Sequence, residues 1–253
     1  MIDFFKYYTE IPKEMTFKNF GMAHNISLLI ILIFIILGIS FIRKIDRKKG
    51  KFIIKVLAVC VPVLELSHTV WLYNCGLTDW QKLLPLHICA MNMILIPIAI
   101  FSKNLLIREY VFAFSIVGGI FGVVLPSGVS GSYPIIHYQT IQTFIYHSLL
   151  IFIPIAQIAI DDFMPDIKNI YKVHILFIVL AILVGIFDYT FDENYMFIKY
   201  PPDVELAKYI FNNLGIVVYK IFFFIVCTFG IILMYLHLEL YKKKIKKINE
   251  VKD

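Results

Sequence analysis

From Gly21 to Phe41 the chain carries no Asp, Glu, Lys or Arg. A run of that length is what one helix needs to cross a bilayer core, roughly 20 residues at about 1.5 Å each. Comparable runs recur at Ile53–Tyr73, Leu84–Phe101, Glu109–Leu125, Gln139–Ile160, Ile170–Tyr189 and Leu214–His237. Hydrocarbon offers no partner for a free N–H or C=O, so such runs must close their own hydrogen bonds as helices. The expected fold is all-α: a polytopic membrane protein, a helical bundle of about seven transmembrane helices, with residues 1–253 forming one integral membrane domain. The glycine-rich fourth run is the weakest of the set.

Charge is sparse and bunched. Only 17% of residues are charged, against about a quarter in a soluble domain. The basic clusters, Arg43 to Lys51 and Lys242 to Lys247, flank apolar runs. They therefore read as topology signals and anionic-lipid contacts, and no nucleic-acid partner is expected. Counting Lys and Arg loop by loop puts the N-terminus outside and the C-terminus in the cytoplasm of a multi-pass cell-membrane protein. Cys60, Cys75, Cys89 and Cys227 form no CxxC pair, so no disulfide framework is indicated. The start of the chain lacks the basic flank and cleavage site of a signal peptide, and the first span is expected to act as its own insertion signal.

Polar side chains inside these runs are costly and mark functional positions. With the orientation above, His87 and Cys89 lie one or two turns below the outer interface. His147, at the end of the stripe Thr140, Thr143, His147, lies about two turns deep. Glu65 and His68 share a helix face at similar depth, Asp188 ends the sixth run, and His24 with Asn25 begins the first. The inner halves are almost wholly apolar.

Cys89 and His147 are the leading pair, because a thiol becomes a nucleophile when an imidazole takes its proton. Asn92, three residues after Cys89, would donate to an oxyanion or orient the imidazole. Glu65 and His68 place a buried acid near a base. His87, two residues from Cys89, points the other way on a regular helix and is expected to partner Glu65 or a loop. A metal held by His68, His87, Cys89 and His147 is chemically allowed, but no short-spaced anchor supports it, and no metal or cofactor is expected. The loop from Phe191 to Pro202, including Asn194, reads as a lid or lipid-entry rim, or equally as an aromatic interface belt. Gly118, Gly119 and Gly122 allow close helix approach, and Pro126 then breaks the helix.

These residues carry a family resemblance. Leu84-Pro85-Leu86-His87-Ile88-Cys89, the Glu65 helix, Gly122 to Pro126, Phe144 to His147, and Asn194-Tyr195-Met196-Phe197-Ile198 with a following proline resemble the YwaF family of bacterial integral membrane proteins. That family is similar to the eukaryotic transmembrane-protein-164 family, associated with fatty-acyl transfer to lyso ether phospholipids through a cysteine and a histidine. The resemblance implies Cys89 as the acyl-accepting nucleophile and His147 as its base. Leu86-His87-Ile88 before the cysteine and Ala90 after it depart from the eukaryotic pattern. The expected function is acyl transfer between phospholipid and lyso-phospholipid, with membrane lipids as partners, or lipase action if water is the acceptor. The alternative is a small-solute or proton-coupled transporter, or a lipid-binding protein, using the Glu65/His68/His87 polar cluster; Asp188 and Asn194 are expected as further supporting polar residues.

Overall fold

A computed structural model describes residues 4–160 and 163–250, with side chains described as far as Lys244. Six helices are long and apolar enough to cross a membrane, and no strand occurs among the described residues. The helices are α1 (Met22–Lys44), α2 (Arg47–Asn74), α3 (Asn92–Phe101), α4 (Leu105–Tyr110), α5 (Ile116–Val124), α6 (Tyr138–Ile160), α7 (Ile170–Phe191) and α8 (Glu205–Glu250). A π-helical turn, Val111–Ser115, joins α4 to α5 in one continuous rod. The chain is thus an all-α polytopic membrane protein.

Local chemistry sets the boundaries. Asp46 caps α2 by accepting from the Lys48 and Lys49 N–H groups at 2.9 and 3.2 Å, which satisfies donors that an uncapped helix leaves free. Asn104 caps α4 by accepting from the Ile107 N–H at 3.1 Å. At Gly215 the backbone turns to φ 85°, a conformation natural to glycine, and α8 kinks there.

Long-range hydrogen bonds define the two ends of the bundle. At the near end, His24 Nε2 donates to the Val123 carbonyl at 2.9 Å, which sets the start of α1 beside the end of α5. At the far end, Arg108 Nε donates to the Ala99 carbonyl at 3.1 Å, and Arg47 Nε to the Ile160 carbonyl at 2.8 Å. The end of α3, the start of α4, the start of α2 and the end of α6 therefore meet there.

α6 is the central helix, packed against α1, α2 and α5. Gly38 of α1 comes so close to it that an added Cβ would lie 2.6 Å from Phe152. The outer helices turn apolar side chains outward, among them Leu29, Ile30 and Leu37 of α1, Ile182 and Ile186 of α7, and Val217 and Phe229 of α8. In a membrane these faces contact lipid. Glu109, buried within the bundle, accepts from the Tyr235 hydroxyl at 2.6 Å and from Asn169 Nδ2 at 3.0 Å.

The third crossing differs from expectation. The apolar run Leu84–Phe101 is helical only from Asn92, so about half of a core roughly 30 Å deep is crossed by non-helical chain. The fourth and seventh runs are longer than the sequence reading gave, starting at Leu105 and Glu205.

Candidate functional site

Pro85 marks the start of the non-helical stretch. It has no N–H to give, and its ring steers Leu84 away from helix. The backbone recovers through separate turns, with Met91 N–H donating to the His87 carbonyl at 2.9 Å and Asn92 N–H to the Cys89 carbonyl at 3.1 Å. Neighbouring side chains also serve the carbonyls of this stretch. Asn92 Nδ2 donates to Ile88 O at 3.0 Å, and the Tyr146 hydroxyl donates to Cys89 O at 2.9 Å and reaches Ala90 O at 3.4 Å. Non-helical backbone at membrane depth persists only where protein supplies such partners or water reaches it. Cys89 thus sits on a turn held in place by α6.

On its near-end side the unwound segment meets the loop after α7. His87 Nδ1 accepts from the Met196 N–H at 3.3 Å, and its ring lies 5.0 Å from Tyr195 and 5.4 Å from Phe197, centroid to centroid. The Tyr195 hydroxyl donates to Gln81 O at 2.6 Å, and the Tyr195 N–H to Asp188 Oδ1 at 2.9 Å. Asn194 Oδ1 accepts from the Lys199 and Tyr200 N–H groups, both at 2.9 Å. Met196 and Phe197 hold φ of 52° and 56°, a left-handed conformation that costs energy for such residues. An ion pair joins Lys199 to Asp192 and keeps the Asp192 carboxyl below its usual range. His87, Asp188 and Asn194 therefore form one loop-docking cluster, with the loop rather than Glu65 as the partner of His87.

Cys89 and His147 meet a common helix face. A Cβ on Gly118 would lie 3.1 Å from Cys89 Sγ, and one on Gly122 only 2.0 Å from His147 Cδ2 and 2.3 Å from Nε2. Gly118 and Gly122 are one turn apart on α5, about 5–6 Å between Cβ positions. The thiol and the imidazole are thus neighbours along that face, but no hydrogen bond joins them, so the pair is not in catalytic register as it stands. Both residues are partly exposed. His147 Nδ1 lies 2.8 Å from the Thr143 carbonyl. A carbonyl only accepts, so Nδ1 carries the proton and the neutral ring presents Nε2 as a lone pair.

Glu65 and His68 face the same region from α2. The Leu64 carbonyl beside Glu65 accepts from Gln142 Nε2 of α6 at 3.3 Å, and the Ser67 hydroxyl beside His68 accepts from the Tyr138 hydroxyl at 2.9 Å. Among the described residues no ion pair joins Glu65 to His68. The His68 ring stacks 5.9 Å from Trp71. Asn92 is fully buried, and one amide N–H is committed to Ile88 O, while its Oδ1 has no partner among the described residues. Two other histidines are tied into the frame: His24 to Val123, and His137 Nε2 to the Lys6 carbonyl at 3.1 Å. No group of three or more His, Cys, Asp or Glu among the described residues is placed to hold a metal ion. Three contributors were not assigned to the site from sequence. Tyr146 gives no signal beyond standing next to His147, and Gly118 and Gly122 read only as helix-packing glycines.

The chain was compared with known proteins. A family model described as the TMEM164 family matches residues 19–238. Neither the curated proteins nor the solved structures gave a match.

Proposed function

The chain belongs to the TMEM164 family, and on that premise we propose that it is a membrane-embedded acyltransferase working through a Cys89 thioester. The observation that carries this reading is the shared face of α5, where Gly118 and Gly122 leave room for the Cys89 thiol and the His147 imidazole one turn apart. The family's link to acyl transfer supports it.

In the proposed cycle His147 Nε2 takes the proton from Cys89 Sγ, after a side-chain rotation that closes the gap between them. The thiolate attacks the ester carbonyl of a phospholipid. The carbon–oxygen bond breaks, the acyl group stays on sulfur, and the imidazolium returns its proton to the departing lyso-lipid oxygen. A lyso-phospholipid hydroxyl then gives its proton to His147 and attacks the thioester, releasing the thiolate. Water in place of that hydroxyl turns the same site into a lipase. Asn92 holds Ile88 O and so positions the Cys89 turn. Glu65 and His68 set the polarity around thiol and imidazole.

The transport reading draws less support, because His87, one of its three residues, engages the loop after α7 through the Met196 N–H. In this reading the near end is outside and the C-terminus cytoplasmic, since the far end carries the Arg43–Lys51 cluster, Lys103 and Arg108. Reporter fusions at the two termini giving matching signals would refute that orientation. The mechanism is tested by intact-protein mass spectrometry after incubation with phospholipid. An acyl-sized mass increase that hydroxylamine removes and Cys89→Ala abolishes is expected. An adduct that persists in Cys89→Ala excludes the mechanism.

A further inference from the structure

Attack on an ester puts negative charge on the carbonyl oxygen, so the site needs hydrogen-bond donors beside the nucleophile. The sequence reading offers Asn92 for that role, but its amide nitrogen donates to Ile88 O at 3.0 Å and holds the turn instead. The backbone of the same turn supplies other donors. Met91 N–H donates to His87 O, and Asn92 N–H to Cys89 O, which closes Ile88–Met91 as the first turn leading into α3. The N–H groups of Ile88, Cys89 and Ala90 come before those bonds and have no acceptor among the described residues. Free donors are normal in a first helical turn that faces water. At membrane depth they are costly unless a ligand or water meets them.

The peptide units that carry two of these donors are gripped from the other side. Cys89 N–H shares a peptide with the Ile88 carbonyl, which accepts from Asn92 Nδ2. Ala90 N–H shares one with the Cys89 carbonyl, which accepts from the Tyr146 hydroxyl at 2.9 Å. A peptide is planar, so holding its carbonyl fixes the direction of its N–H, and the bond polarises that N–H further. In a helical turn the N–H groups and the Cα–Cβ bonds both lean toward the N-terminal end. The donors and the Cys89 thiol therefore lie on one side of the turn. Asn92 gives a separate sign of a polar ligand. It is fully buried and anchored at Ile88 O, yet its Oδ1 has no donor among the described residues. An ester has no donor for that oxygen, whereas an incoming lyso-lipid hydroxyl or a water does.

Resting on the Cys89 thioester reading, the geometry points to an oxyanion hole made by the backbone N–H groups of Cys89 and Ala90, with Asn92 and Tyr146 as the positioning residues that aim them. As Cys89 Sγ bonds to the ester carbon, the carbonyl π pair moves onto oxygen, and both N–H groups donate to it. The pair returns when the carbon–oxygen bond to the lyso-lipid breaks, and that lyso-lipid oxygen takes the proton held on His147. A backbone donor is indifferent to the side chain beside it, so Ala90 can serve where no polar residue follows the cysteine.

The test uses the full chain in nanodiscs with Ala90 replaced by lactic acid through nonsense suppression. This exchange turns the N–H into an ester oxygen and keeps the methyl group. Acylation of Cys89 by phospholipid should slow about a hundredfold. Alkylation of the same thiol by iodoacetamide forms no oxyanion and should keep its rate, whereas general damage to the site would change both. Tyr146→Phe should slow acylation about tenfold, again without slowing alkylation. Ala90→Gly retains the N–H and should match the unmodified chain. If the lactate-containing chain is acylated at the unmodified rate, or is slowed equally in acylation and alkylation, the oxyanion assignment is overturned and the thioester stands. If the unmodified chain gains no acyl group at Cys89, the thioester reading falls and the assignment falls with it.

Discussion

His87 and Met196, 109 residues apart in the chain, meet through a hydrogen bond from the Met196 N–H to His87 Nδ1 at 3.3 Å. This bond couples the unwound third crossing to the loop after α7, so the two sequence blocks that stand out most are each other's partners. Removing the ring orphans the Met196 N–H, at a cost of about 1–3 kcal/mol. His87→Ala should therefore speed hydrogen exchange across Asn194–Tyr200 and leave α6 protected. Unchanged exchange in that loop would show that the bond contributes nothing to docking.

Cys89 and His147 act on one step in the proposed cycle. Cys89→Ser and His147→Ala should each lower acyl exchange between phospholipid and lyso-phospholipid in liposomes by about a hundredfold or more. The double variant should be no worse than the poorer single one, because either change disables the same step. Losses that multiply would mean that the two side chains serve different events.

Gly122 should prove as sensitive as the catalytic pair. A methyl at this position would lie 2.0 Å from His147 Cδ2, so the imidazole must swing away. Gly122→Ala is expected to cut acyl exchange about a hundredfold, even though alanine is the better helix former by about 1 kcal/mol. Gly185→Ala, where the nearest atom would be 3.7 Å away, should leave exchange unchanged. Equal effects of the two would show that the space beside His147 is not what matters.

The loop carries a pH dependence. Hydrogen bonding from Lys199 lowers the Asp192 carboxyl below its ordinary value of 3.8. A carboxyl lowered on folding contributes stability that is complete above the unfolded value and is lost as pH falls through the folded one. Exchange at Asn194–Tyr200 should therefore quicken only below about pH 4, and Asp192→Asn should erase that step. Because the pair is exposed, the effect will be small.

Most spans could be read from the sequence because the physics behind them is short-range: an apolar run of sufficient length must close its own hydrogen bonds. The Leu84–Phe101 run misled for the same reason, since its apolarity holds while Pro85 and the hydroxyl of Tyr146 allow the backbone to leave the helix. Cys89 and His147 stood out in the sequence by residue type and expected depth. Their common seat against Gly118 and Gly122 was not, because glycine patterns do not say which neighbour fills the space. The expectation for His87 rested on a regular helix that the structure does not form at this point, and the partner of His87 is a backbone N–H, which any residue could have supplied.

The half-unwound crossing also bears on how the protein is made. The Cys89 carbonyl is bonded by the hydroxyl of Tyr146, 57 residues further along, which takes about 3–11 s to synthesise at 5–20 residues per second. Until α6 emerges, that carbonyl has only the local Asn92 N–H as partner, and ten helical residues are too few to settle across a bilayer alone. We infer that the third crossing waits at the membrane interface or in the insertion channel and seats only when α6 arrives. Ribosome-stalled chains ending before Tyr146 should leave Cys89 open to a bulky water-soluble maleimide that longer chains resist, and equal labelling at both lengths would refute the delay. On this view Cys89 is withdrawn from water late in biogenesis, together with the helix that carries His147.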